Sequence, residues 1–187
     1  MQAKFLTTPI DRRDLLRVGG GLIAGSLIVP KWAVAAPLKP EQALNLYNVN
    51  TGEFFKEVIW AGGGYVQENL TKVYSFLRDW RTGQEIKINH ELLSLLYRLG
   101  EKVDAKKPFE IFCGYRSPKT NAQLRKRNKG VARRSRHMTG DAVDFKIPGV
   151  RLRHLRNAAT AEKVGGVGYY PKSGFVHVDI RERFTTW

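Results

Sequence analysis

The chain has 187 residues, 42% of them hydrophobic, which suffices for one domain with a real core. Its 32 basic residues against 17 acidic ones give a formal charge of +15. This composition excludes a disordered chain, and the charge calls for an anionic partner or surrounding: nucleic acid, a membrane surface or an acidic polymer. The single cysteine, Cys113, excludes an internal disulfide, and in the strand-like run Glu110-Ile-Phe-Cys-Gly it reads as a small buried hydrophobe.

Residues 1–35 read as an export signal. Arg12-Arg13 stand two residues before Leu15-Leu16, the apolar run VGGGLIAGSLIV follows, Lys31 comes after it, and the small residues AVA precede Ala36. The arrangement resembles a Tat-type signal peptide and implies a periplasmic protein. At 12 residues the apolar run is too short to remain as a stable membrane span. Its removal takes away five basic and two acidic residues, so residues 36–187 keep 27 against 15, a charge of +12. Outside the cytoplasm the abundant polyanions are cell-wall and lipid polymers. No helix-turn-helix, finger spacing or aromatic RNA motif accompanies the charges, so nucleic acid is not the expected partner.

No repeat or long linker divides residues 36–187, and a single domain is expected. ALNLYNVNTGEFFKEVIW alternates on both sides of Asn48 to Glu53, which predicts a β-hairpin with Gly52 at its turn. Val66, Leu70, Val73, Leu77 and Trp80 predict an amphipathic helix over 65–80 that Gly83 ends. Asn89 caps a second helix whose Leu92, Leu93, Leu96 and Leu99 form one stripe, with His90 exposed in its first turn. FEIFCGY reads as a strand, and Ser117-Pro118 supplies a cap and a first-turn proline for a third helix. Residues 125–136 hold seven basic side chains. A helix near 151–163 turns Leu152, Leu155 and Ala159 inward and His154 to solvent, and strands around VGYY and FVHVDI close the chain. The fold class is α+β, with a central, mostly antiparallel sheet flanked by helices.

Two strand-like stretches carry more than alternation requires. In RHMTGDAVDFKI the core face takes Val143, Phe145 and Ile147, which turns Asp144 to the other face; in GFVHVDI the core face takes Val176, Val178 and Ile180, leaving Phe175, His177 and Asp179 together. His137 precedes Asp144 by seven residues, across a Thr139-Gly140 turn. Zinc sites that do chemistry use three His, Asp or Glu ligands and keep a fourth position for water, a requirement that His137, Asp144 and His177 meet. The residues alone leave a second reading, two structural histidines satisfied by neighbouring carboxylates. Asp179, on the face of His177, fits either a general base or a carboxylate that orients a ligand.

GYRS, SRHMTGDAVDF, GGVGYYP and FVHVDI, in this order and spacing, resemble the zinc peptidoglycan peptidases related to D-alanyl-D-alanine carboxypeptidases, whose fold is shared with the Hedgehog signalling domain. The likeness covers roughly residues 44–187 and is nearest to exported murein endopeptidases. It implies Zn2+ held by His137, Asp144 and His177, and an oxyanion-steadying arginine at Arg116. Peptidoglycan peptide stems would be the substrate, cut at their cross-links. Many relatives carry a glutamate three residues before the last zinc histidine, or a histidine two before it; Gly174 and Phe175 occupy those positions here, so Asp179 is the nearest remaining base. Tyr170, or its neighbour Tyr169, and Arg136 at the end of the basic run are the expected substrate contacts. A carboxypeptidase that trims stem ends, and a wall-binding module without hydrolysis, are the alternatives.

Overall fold

The structure, a computed structural model, describes residues 40–187; the export-signal reading of residues 1–35 lies outside them. Alternation produces the hairpin: β1 (Gln42–Asn48) and β2 (Phe54–Ala61) pair antiparallel, with Leu44, Leu46, Phe55 and Ile59 buried. The Asn48 side-chain carbonyl accepts the amides of Asn50 and Thr51, an Asx-type contact that shapes the turn before Gly52. A short β3 (Gly64–Tyr65) extends the edge.

The first helix is shorter than its spacing predicts. α1 (Gln67–Phe76) stops where Asp79 organises a turn of its own: the Asp79 carbonyl accepts the amides of Thr82 and Gly83, and its carboxylate accepts that of Arg81. Trp80 therefore lies outside the helix and is 41% exposed, with the Arg81 guanidinium 4.1 Å from its ring. Gly83 closes that turn and not the helix.

α2 (His90–Lys102) follows the expected cap, the Asn89 side chain accepting the Glu91 amide, and its leucine stripe is fully buried, with Leu95 added to it. Burial of each such leucine contributes about 1.5–3 kcal/mol. His90 is half-buried rather than exposed, its Nε2 2.6 Å from the Tyr74 hydroxyl. β4 (Phe109–Cys113) leads to α3 (Pro118–Arg127), capped by Ser117. After a 3-10 turn (Arg136–Thr139) come β5 (Ala142–Lys146), α4 (Leu152–Glu162), β6 (Gly166–Tyr170), β7 (Phe175–Asp179) and a short β8 (Thr185–Thr186). His154 is exposed on α4.

These strands make one sheet, in the order β3-β2-β1-β4-β5-β7-β6-β8. Only the β1/β4 and β6/β8 pairings are parallel, so the sheet is mostly antiparallel as expected. Val143, Phe145, Val167, Val176 and Val178 join the leucines of α1, α2 and α4 in one core, which leaves the opposite face of β5, β6 and β7 free for polar groups. No helix among the described residues is long and apolar enough to cross a membrane.

β6 and β7 approach closely because β6 is entered through glycine. Gly165 sits at φ +57, and a Cβ there would lie 1.7 Å from the Asp179 carbonyl oxygen. Gly52 has a similar φ of +75 with nothing within 4 Å of the same position. Gly52→Ala is thus expected to cost only the left-handed strain, about 1–2 kcal/mol, and Gly165→Ala clearly more because backbone must also shift. Denaturant unfolding of both variants checks this; equal losses would contradict it.

Candidate metal centre

Asp144 and His177 are direct cross-strand partners of β5 and β7 on the polar face, so their side chains meet by register alone. His177 Nδ1 lies 2.8 Å from Asp144 Oδ1. His137 reaches the same carboxylate from the 3-10 turn, with its Nε2 3.2 Å from Asp144 Oδ2. Its other nitrogen, Nδ1, lies 2.8 Å from the Gly114 carbonyl. A carbonyl only accepts, so the proton belongs on Nδ1 and Nε2 is turned toward Asp144. His137 and His177 are therefore both brought to Asp144, whereas the metal-capable atoms that lie within 4.8 Å of one another among the described residues are those of Cys113, His137 and Asp144.

Asp179 stands behind them. It is fully buried, and its Oδ2 is 3.1 Å from His177 Nε2. The Gly166 and Arg181 amides donate to Oδ1, and the Arg181 guanidinium grips the carboxylate. Burial works against its charge, but these donors and His177 prevail and hold the carboxyl far below the usual range. This is the geometry of a carboxylate that aligns an imidazole.

Three consecutive amides fix the GYRS loop: Tyr115 donates to the Leu77 carbonyl, Arg116 to that of His137, and Ser117 to the buried Asp79 carboxylate. Arg116 thereby reaches the site, one guanidinium nitrogen donating to Ser135 Oγ at 3.1 Å while its buried Nε has no partner among the described residues. The basic stretch forms one wall of a cleft of about 670 Å³ over His137, Asp144 and His177. Its seven cationic side chains are all exposed, and among the described residues only Arg136 has an acidic partner, Asp141 at 3.6 Å. Asn121 on α3 tethers this wall by donating to the Ala132 carbonyl.

The opposite wall is aromatic. Tyr170 stacks on Phe175 at 4.8 Å, and its hydroxyl accepts the Trp187 indole N–H at 2.7 Å. Trp187 lies over His177, where Gly168 leaves room; a Cβ at Gly168 would be 2.8 Å from the indole nitrogen. Strand parity separates the two tyrosines. Tyr170 lines the cleft, whereas Tyr169 packs on the core beneath the Arg156 guanidinium.

Sequence reasoning missed Cys113. Glu110 pairs with Lys146 and Ile111 with Phe145, but Cys113 pairs with Asp144, so Phe112 is the extra residue of a β-bulge. A bulge reverses the parity beyond it, turning Cys113 out of the core and toward the site. Its Sγ, a His137 ring nitrogen and an Asp144 oxygen lie within 4.8 Å of one another. Cys113 is half-buried, not the buried hydrophobe its strand pattern suggests. No single-sequence signal marks the bulge.

The donor set fits a divalent cation. Two imidazole nitrogens face the two oxygens of one half-buried carboxylate, His137 at 3.2 Å and His177 at 2.8 Å, a nitrogen and oxygen donor set that suits zinc. Without a cation the site is held by protons. Burial opposes charge on His137, but Asp144, with Cys113, raises its pKa well above the ordinary value of about 6.5. Burial likewise opposes charge on Asp144, yet His137 and His177 hold its pKa far down.

The raised His137 contributes stability that is complete below about pH 6.5 and lost as pH climbs through its folded pKa; the depressed Asp144 contributes above about pH 4 and loses it on acidification. The chelator-treated chain should therefore be most heat-stable between about pH 4 and 6.5, as read by calorimetric melting. A melting temperature that keeps rising toward about pH 9 would contradict this.

Over residues 37–187 the chain matches the family described as peptidoglycan L,D-endopeptidase MepK. It is 44% identical to the peptidoglycan L,D-endopeptidase MepK of Escherichia coli (strain K12) over 170 residues, which is 90% of this chain and 93% of that protein. The probable peptidoglycan L,D-endopeptidase MepK of Haemophilus influenzae is 37% identical over 162 residues, 86% of this chain and 87% of its own length. Matched almost from end to end at these identities, and with its polar sheet face built around His137, Asp144 and His177, the chain belongs to the family of the peptidoglycan L,D-endopeptidase MepK.

Proposed function

We propose that the chain is a zinc-dependent murein endopeptidase that hydrolyses an L,D peptide bond in the cross-links of peptidoglycan. We further propose that residues 1–35 direct export to the periplasm through the Tat pathway, and that residues 36–187 work as a single peptidase domain. Family membership supports the activity. The observation that carries the metal chemistry is the convergence of His137 Nε2 and His177 Nδ1 on the Asp144 carboxylate at the floor of a cleft.

In this reading His137, Asp144 and His177 are the metal ligands. Zinc held there supplies Lewis acidity, which polarises a carbonyl and acidifies water near neutral pH. The unpartnered Arg116 Nε and the rest of its guanidinium meet the negative charge that develops on the carbonyl oxygen. Asp179 takes the second of the two roles left open by the sequence: with its oxygens occupied by Arg181, Gly166 and His177, it aligns His177 rather than receiving the water proton. Tyr170 offers an aromatic shelf to the stem peptide, and Arg136 with the basic wall attracts its carboxylates.

Digestion of purified peptidoglycan by residues 36–187, read as muropeptides by mass spectrometry, tests the activity. Zinc-dependent loss of dimeric muropeptides with gain of monomers is expected, and chelation should stop it; loss of only terminal residues from the stems would instead identify a carboxypeptidase. Arg116→Ala is expected to lower kcat by on the order of a hundredfold, about 3 kcal/mol of transition-state stabilisation. Asp179→Asn is expected to weaken zinc affinity by roughly 10- to 100-fold in chelator competition, with hydrolysis recovering in excess zinc. Unchanged affinity with a lost rate at saturating zinc would make Asp179 the base.

A further inference from the structure

Cys113 is the one metal-ligating side chain at the centre that the reading above does not use, and on that reading of the centre the present inference rests. Its thiol donates weakly to the Gly114 carbonyl at 3.6 Å and lies beside the His137 ring, and the bulge at Phe112 turns it toward the carboxylate that His137 and His177 share. His177 approaches Oδ1 of Asp144 and His137 approaches Oδ2, and Cys113 Sγ, one His137 ring nitrogen and one Asp144 oxygen lie within 4.8 Å of one another. The thiol thus comes to the centre on the side of His137 and Asp144. Thiolate is a strong zinc ligand that completes four-coordinate sites with imidazole and carboxylate.

We propose that Cys113 supplies a fourth protein ligand to the metal, giving the centre two forms: a closed one with His137, Asp144, His177 and Cys113, and an open one in which the thiol has withdrawn. On closing, a sulfur–metal bond would form as water leaves the fourth position and the thiol proton passes to solvent; on opening, that bond would break, water would return and the sulfur would be reprotonated. Hydrolysis belongs to the open form, because the closed form leaves no position for water or a carbonyl. The half-buried sulfur, on a strand end next to the Gly114 carbonyl and not locked in the core, suits such a movable ligand.

Cobalt(II) loading of residues 36–187 separates the possibilities. The expected spectrum has visible bands of a four-coordinate site together with a near-ultraviolet sulfur-to-cobalt charge-transfer band, and Cys113→Ser should lose the second while keeping one bound cobalt. Visible bands without charge transfer in the unsubstituted chain would overturn the proposal and leave the three-ligand centre standing. Absence of any bound cobalt would overturn both. A measurement without the variant uses the lone thiol: a disulfide reagent should modify Cys113 readily in the chelated chain and more slowly once zinc is loaded, and equal rates would count against ligation.

Discussion

Asp144 is half-buried between His137 and His177 at the floor of the cleft, and a carboxylate in that position needs compensating positive charge. Everything near it answers that demand. The Gly114 carbonyl turns one imidazole so that its free nitrogen faces the carboxylate, and Asp179 does the same for the other imidazole from behind. Arg181 in turn neutralises Asp179, so the negative charge at the rear is satisfied and that at the front is left for an ion. The arrangement reads as a chain of supports that ends at an open front, which is how metal sites that do chemistry differ from those that only hold a fold.

The fold supplies this arrangement by simple means. Sheet register sets Asp144 beside His177 without any loop intervening, and the core beneath them, from Val143 and Phe145 to Val176 and Val178, fixes the register because a slip by one residue would expose four apolar side chains. The rims carry the remaining chemistry: a basic wall tethered through Asn121, and an aromatic wall closed by Trp187 against Tyr170 and His177. In the proposed function, charge would draw an acidic polymer toward one side of the cleft while rings would offer a flat surface on the other.

Much of this was legible in the sequence because period-two alternation reports which face a side chain takes. Val143, Phe145, Val176 and Val178 marked the core, and by subtraction Asp144, His177 and Asp179 fell on one surface. Caps with a defined chemistry, Asn89 and Ser117, were equally visible. What escaped were features set by tertiary hydrogen bonds or by irregularity. The first helix stops early because Asp79 prefers to serve the turn at Arg81 and the Ser117 amide, a partner 38 residues away. His90 finds the hydroxyl of Tyr74 on another helix. Cys113 changes face through a bulge whose only trace is the pairing itself, and parity reasoning necessarily misassigns a residue beyond such a point.

The central claim is that one carboxylate organises a metal centre, and the most direct test is the metal content of purified residues 36–187 by elemental mass spectrometry, for the unsubstituted chain and for Asp144→Ala. About one zinc per chain is expected after loading and dialysis in the first, with almost none retained by a folded Asp144→Ala chain. Equal zinc in both, or none in either, would contradict it.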